Sequence, residues 1–172
     1  LKRVLLLSGL SGAGKTTLAL ALQDYLGPLL VAIVDGDLMR KKASGLGFSK
    51  KDRFENLHRM AIEALQSESE ICIVASIAPF NDARAHFFRI VEEKKTAALI
   101  YINTPLKVCE SRDPKGLYEK ARCGEIEQFT GISDPYEIPP YPNLVIDTTT
   151  LSIKECIDKI LLELFSKPVE EK

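Results

Sequence analysis

The chain has 172 residues, 45% of them hydrophobic: enough for one good core and too few for two full domains, so residues 1–172 are expected to form a single domain. Its 23 Lys and Arg nearly balance 24 Asp and Glu, and the net charge of −1 argues against a general polyanion or nucleic-acid binder without excluding local anion sites. No apolar run approaches the roughly 20 residues of a membrane span, so a soluble, cytoplasmic protein is expected.

The first apolar run, residues 4–7, is continuous rather than alternating, as are the runs at 30–34, 71–75 and 98–102; a shorter fifth lies at 144–146. Continuous runs mark strands buried on both faces. Directly after the first run, Gly9-Leu10-Ser11-Gly12-Ala13-Gly14-Lys15-Thr16 fits the pattern GxxxxGK[ST], and a helical run over 17–26 follows. The three glycines let the backbone curl so that several N–H groups point at phosphate oxygens, and the helix presents its N-terminus to the same anion. In that motif Lys15 reaches the β- and γ-phosphates and the Thr16 hydroxyl ligates Mg²⁺. ATP with Mg²⁺ is therefore the expected donor, bound by Gly9, Ser11, Gly12, Ala13, Gly14, Lys15, Thr16 and Thr17. The loop leaves the acceptor open, because GTPases, motor ATPases and small-molecule kinases share it.

The second run ends in Asp35-Gly36-Asp37. A carboxylate there can take a proton from an attacking hydroxyl or hold the metal's water shell, although Asp-Gly is also ordinary turn chemistry. Between 40 and 53 stand Arg40, Lys41, Lys42, Lys50, Lys51 and Arg53 against the single acid Asp52. Basic runs are commonly solvated faces. Yet Arg53 and Asn56 lie one helical turn apart, and guanidinium forks such as those of Arg40 and Arg53 suit sulfate or phosphate. A helix is expected over 52–67, with Asp52 as its N-cap, Glu55 three residues on, and Phe54, Leu57, Ala61 and Leu65 on one face.

Segment 112–142 has no long apolar periodicity and holds three glycines and five prolines. Its length, with Tyr118, Phe129, Tyr136 and Tyr141, reads as a functional lid rather than a linker. Phe48 and Phe129, each close to a glycine, are either core plugs or flat faces for a purine base. Ser152 with Glu155 opens a last helix, whose Ile153, Ile157, Ile160, Leu161 and Leu164 form a core-facing stripe. Cys72, Cys109, Cys123 and Cys156 show no metal or disulfide spacing, so free and mostly packed thiols are expected. Strands alternating with helices give an α/β class: a three-layer P-loop NTPase fold with a five-stranded parallel sheet, helices on both faces and a mobile lid at about 112–137.

Taken together, several segments resemble the adenylylsulfate kinase family. They are the phosphate loop, Asp35-Gly-Asp with Arg40, Gly47-Phe-Ser with Asp52-Arg-Phe-Glu-Asn56, and Asp113-Pro-Lys-Gly-Leu-Tyr118. Further along come Gly124-Glu125, Phe129-Thr-Gly-Ile132, Asp134-Pro-Tyr-Glu137 and Ile146-Asp-Thr148. The resemblance implies ATP-dependent phosphorylation of the 3′-hydroxyl of adenosine 5′-phosphosulfate. It makes Asp37 the leading catalytic carboxylate, supported by Asp35 and with Lys15 on the donor. It assigns Arg40, Arg53 and Asn56 to the acceptor's phosphosulfate and ribose, and Phe48 and Phe129 to its adenine. Ile77 and Lys115 complete that pocket, and Arg112 sits against the ATP adenine. A homodimer is implied, with fusion to or association with an ATP sulfurylase left open.

Three positions depart from the family pattern. Ala78 replaces the usual Ser after the third strand, which excludes a phosphoserine intermediate there and leaves direct in-line transfer. The spacing from Arg40 to Phe48 is one residue short, and Ala83 stands where Asp often precedes the arginine, here Arg84. Two other readings stand beside the resemblance. One is another small-molecule kinase, such as a gluconate or nucleotide kinase, against which Phe48 and Phe129 discriminate because an adenine clamp has no use for a sugar-acid substrate; the other is a nucleotide-sensing domain without turnover, which intact Lys15, Thr16 and Asp37 argue against.

Overall fold

The structure, a computed structural model, describes residues 2–42 and 46–166. Five parallel strands, β1 (Arg3–Ser8), β2 (Val31–Asp35), β3 (Ile71–Ser76), β4 (Thr96–Ile102) and β5 (Leu144–Ile146), form one sheet in the order β2-β3-β1-β4-β5. Helices α1 (Lys15–Leu26), α2 (Gly36–Lys42), α3 (Lys50–Gln66), α4 (Asn81–Val91), α5 (Leu106–Arg112), α6 (Leu117–Arg122) and α7 (Ile153–Ser166) connect and follow the strands. The expected α/β architecture, a five-stranded parallel sheet with helices, is present.

The continuous apolar runs are explained by two cores, one on each face of the sheet. Leu5 and Leu7 of β1 pack with Leu18, Leu22, Ile157 and Ile160 from α1 and α7. Val4 and Leu6 point the other way, toward Leu57, Met60, Phe87 and Val91 from α3 and α4. Every β1 residue from Val4 to Leu7 is at most 1% exposed, and each contributes roughly 1.5–3 kcal/mol of burial. Because β1 is the central strand, the loop after it emerges mid-sheet, where the chain's crossovers change side and ligands collect.

Element ends moved for identifiable reasons. Leu30 stays outside β2 and is half exposed. Helix α1 starts at Lys15, two residues before the expected Thr17, because the loop feeds straight into its first turn. The N-cap of α3 is Ser49, not Asp52: the Asp52 N–H donates to Ser49 Oγ at 3.1 Å, and that hydroxyl donates to Asp52 Oδ2 at 2.6 Å. Asp52 is thus the third-position partner of a capping box, and Glu55 pairs instead with Arg59. The buried face of α3 runs Arg53, Asn56, Leu57, Met60, Ala61 and Ala64, so two polar residues lie on the inward stripe while Phe54 and Leu65 are only partly covered.

In α7 the Ser152–Glu155 box forms as expected, and Ile157 and Ile160 are buried. Ile153 is not: in the first turn it is half exposed at a cavity rim, and the Leu164 side chain lies outside the described residues. Segment 112–142 is less irregular than its composition suggests. The Asp113 carboxylate accepts from the N–H groups of Tyr118 and Glu119, each at 3.1 Å, and so starts α6. Tyr118 and Phe129 are then 1% and 2% exposed, as core residues are, whereas Tyr141 is solvated. Gly131 allows this packing, since a Cβ there would press on Leu106 and Leu10 at 3.1 and 3.2 Å. All four cysteines are free thiols and only Cys123 is exposed. Among the described residues no helix is long and apolar enough to cross a membrane.

Candidate active site

One cavity of about 770 Å³ opens at the carboxyl ends of the strands. It is lined on one side by Ser11, Gly12, Gly14, Lys15, Thr16, Thr17 and Arg112, and on the other by Asp35, Asp37, Arg40, Phe48, Arg53, Asn56, Ile77, Lys115 and Phe129. All but two of the sequence-predicted site residues therefore share one space. The exceptions serve it from behind: the Gly9 carbonyl accepts from Lys15, and the Ala13 carbonyl accepts from Thr104 and Thr148.

The phosphate loop is built on close backbone approach. Gly12 has φ +74°, and a Cβ there would lie 2.8 Å from the Cys109 carbonyl oxygen of α5. Lys15 is curled onto its own loop, donating to Gly9 O at 2.9 Å and Leu10 O at 2.7 Å. Burial pulls its pKa down to about 8, with Asp37 opposing the shift. An ammonium held this way has lost most of its hydration, so a nearby phosphate is its natural partner.

Across the cavity, one carboxylate does two jobs. Asp35 Oδ2 accepts from the Thr16 hydroxyl at 2.9 Å, while Oδ1 accepts from the N–H groups of Asp37 and Leu38 at 2.9 and 3.2 Å. The capped-turn reading of Asp35 is thus correct, and the same carboxylate also faces the loop: it starts α2 with one oxygen and meets Thr16 with the other. Asp37, one turn into the cavity mouth, is ion-paired with Lys115.

The basic residues Arg40 and Arg53 gather around Phe48 on the far side of the cavity. Arg53 is 6% exposed and donates to Phe48 O at 2.9 Å and Gln128 O at 2.8 Å. Arg40 donates to Gly47 O, and both guanidinium groups sit near the Phe48 ring, 4.9 and 5.5 Å from its centroid. Burial, with the neighbouring Arg40 charge, lowers the pKa of Arg53 to about 10. Two crowded cations in a half-covered site favour a dianionic guest. Asn56 donates to Gly36 O at 3.2 Å, while its buried Oδ1 has no hydrogen-bond partner among the described residues. Phe129 lines the cavity edge-to-face with Tyr118, their ring centroids 5.0 Å apart.

Some site features were not predicted. Thr104 and Thr148 clamp the Ala13 carbonyl at 3.1 and 3.0 Å, and Arg112 donates to Thr148 Oγ1 at 2.9 Å and Gly12 O at 3.2 Å. Leu151, Ile153 and Cys156 add apolar walls at that end of the cavity. Thr148 belongs to a segment singled out in the sequence, but only the β4–β5 pairing brings it to the loop.

Comparison with known proteins agrees with this geometry. The family model described as adenylylsulphate kinase matches residues 2–147. The chain belongs to the adenylylsulphate kinase family. An adenylyl-sulfate kinase from Synechococcus sp. is 45% identical over 165 residues, covering 93% of each chain. One from Bacteroides thetaiotaomicron is 45% identical over 170 residues, covering 96% of this chain and 84% of the relative. Among solved structures, the Mycobacterium tuberculosis APS kinase in complex with AMPPNP and APS superposes with a TM-score of 0.88 at 35% identity, covering 95% of this chain and 97% of that one. An adenylylsulphate kinase needs one site for a triphosphate and another for an anionic adenine nucleotide; the cavity here joins the glycine-rich loop to the Arg40, Phe48 and Arg53 cluster.

Proposed function

We infer that this chain transfers the γ-phosphoryl group of MgATP to the 3′-hydroxyl of adenosine 5′-phosphosulfate, giving ADP and 3′-phosphoadenosine 5′-phosphosulfate. The observation that carries the reading is the continuity of the phosphate loop with the Arg40, Phe48 and Arg53 cluster in one cavity. The Mycobacterium tuberculosis relative holds an ATP analogue and APS together, which supports two nucleotides side by side.

Donor phosphates enter the loop, where the amides and Lys15 neutralise them; Lys15 exchanges its two loop carbonyls for phosphate oxygens. The Thr16 hydroxyl and Asp35 carboxylate, two hard oxygen donors 2.9 Å apart at the cavity mouth, fit Mg²⁺ arriving with the nucleotide. Among the described residues no group of three or more His, Cys, Asp or Glu could hold a metal ion unaided, so the phosphates would complete its ligands. Held there, Mg²⁺ would neutralise charge on the donor phosphates.

Arg40 and Arg53 take the acceptor's phosphosulfate, and Phe48 with Phe129 supplies faces for its adenine. The acceptor 3′-oxygen attacks Pγ, the bond from Pγ to the β–γ bridging oxygen breaks, and the hydroxyl proton passes to Asp37 as charge moves onto the leaving ADP. Lys115, which pairs with Asp37, would neutralise charge on the transferring group. The only side chain at position 78 is a methyl, so no covalent phosphoenzyme forms there. Residues 112–137 act as the lid that closes over both nucleotides.

The test is ADP release from MgATP with and without adenosine 5′-phosphosulfate. Strong stimulation by that nucleotide is expected. Equal stimulation by gluconate or AMP, or hydrolysis indifferent to every acceptor, would overturn the reading.

A further inference from the structure

We propose that Arg84 and Tyr136, acting with Ser8, are positioning residues: they hold the turn Ile77-Ala78-Pro79 that walls the acceptor side of the cavity and tie it to the root of the phosphate loop. The proposal rests on the function inferred above for what the cavity receives. None of the three side chains lines the cavity, whereas Ile77, Ala78 and Pro79 all do.

Ser8 stands at a junction. It is the last residue of β1, in register with Ser76, the last of β3; the phosphate loop leaves from one and the acceptor wall from the other. Ser8 is fully buried, and its Oγ lies 2.8 Å from Ile77 O and 2.6 Å from the Tyr136 hydroxyl. A serine has one proton to give. It goes to the carbonyl, so Tyr136 donates to Ser8, and the chain runs from Tyr136 through Ser8 to Ile77. Burial pushes the Tyr136 phenol up to about 12, which keeps that proton in place.

The next two carbonyls are held as well. Arg84, 3% exposed, donates to Ala78 O, Asn81 Oδ1 and Glu137 O, with its guanidinium 5.6 Å from the Tyr136 ring centroid. The Glu137 N–H donates to Pro79 O at 2.8 Å, and the Glu137 carboxylate accepts from Asn81 N at 2.6 Å. Three successive carbonyls are thus fixed by β1, α4 and residues 136–137. Arg84 therefore has full support with Ala at position 83.

What they fix is a strained turn. Ala78 has φ +45°, a conformation that side-chain-bearing residues avoid and that persists only where the surroundings impose it. A trans peptide puts the Ala78 N–H opposite the Ile77 carbonyl, so anchoring that carbonyl on Ser8 turns the N–H away from the core. Apolar side chains would fill this volume without polar cost. A fully satisfied buried network instead specifies one backbone path. Tyr136 also stacks on Tyr101 of β4 at 5.7 Å, so the end of the lid at 136–137 is its fixed end.

The test is steady-state kinetics of the whole chain with MgATP and adenosine 5′-phosphosulfate, alongside thermal unfolding, for wild type, Tyr136→Phe, Ser8→Ala and the double variant. Tyr136→Phe and Ser8→Ala should each raise KM for the acceptor roughly three- to tenfold, the equivalent of one net hydrogen bond. KM for ATP should stay within about twofold, and the double variant should be little worse than Ser8→Ala because both changes break the same chain. If Tyr136→Phe does not fold, Ser8→Ala reads the same link with the Tyr101 stack intact. Lowered melting temperature with unmoved acceptor KM, or equal rises in both KM values, would overturn the proposal. A wild type whose turnover ignores the acceptor would sink the functional reading itself; a stimulated wild type with unmoved variants would sink this inference alone.

Discussion

Lys115 reaches from the turn before α6 to form an ion pair with Asp37 in the first turn of α2, across 78 residues of sequence. Both side chains are about half exposed, so the pair contributes little to stability, on the order of 0–1 kcal/mol. Its importance is positional, because it places a cation beside the carboxylate assigned to the acceptor proton. Lys115→Ala should lower kcat/KM for adenosine 5′-phosphosulfate by about tenfold or more while moving the melting temperature by no more than about 2–4 °C. Steady-state kinetics and a thermal melt on one preparation check both halves.

The depressed Lys15 pKa gives a pH signature. Burial brings it to about 8 against an ordinary 10.5, so the empty protein favours the neutral amine and gains stability as pH rises between those values. Donor binding has the opposite sign, since phosphates select the ammonium. KM for ATP should therefore rise above pH 8, by up to about tenfold per unit, until the ammonium is lost. Lys15→Arg should remove the inflection, because a guanidinium stays charged throughout. A flat KM for ATP up to pH 9.5 would contradict this assignment.

A second titration lies outside the cavity. His58 Nδ1 and His86 Nε2 are 2.9 Å apart between α3 and α4, with the Phe54 ring tilted 30° against His86 at 4.8 Å and Arg89 donating to His86 Nδ1 at 2.6 Å. His86 is thus held neutral; burial, then the charges of Arg89 and His58, lower its pKa below the usual 6.5. A depressed histidine stabilises above its unfolded pKa and loses that contribution as pH falls through its folded one. Melting temperature should drop by about 1–2 °C more between pH 7 and 5 in wild type than in His86→Gln, as differential scanning calorimetry would resolve.

How much of this was legible in the sequence depends on the range of each interaction. The strand runs were readable because a strand covered on both faces leaves no polar positions, and the loop was readable because its chemistry lies within eight consecutive residues. The α3 cap was misplaced by a local ambiguity: Ser49 and Asp52 can both cap, and geometry made Asp52 the partner. Ile153 was assigned to the core on helical spacing, which cannot show that the first turn of α7 overhangs a cavity. The Ser8–Tyr136 contact, across 128 residues, and the Thr148 clamp on Ala13 had no local pattern to reveal them. Only the strand order brings those segments together.

The central claim is that one cavity passes a phosphoryl group between two adenine nucleotides. It is tested most directly by following γ-³²P from ATP in the presence of adenosine 5′-phosphosulfate, with Asp37→Asn beside the wild type. The account predicts label on the 3′-position of the product, releasable by a 3′-nucleotidase, and transfer reduced by about a hundredfold or more in Asp37→Asn. Label found only as inorganic phosphate, label retained on the protein, or undiminished transfer by Asp37→Asn would contradict it.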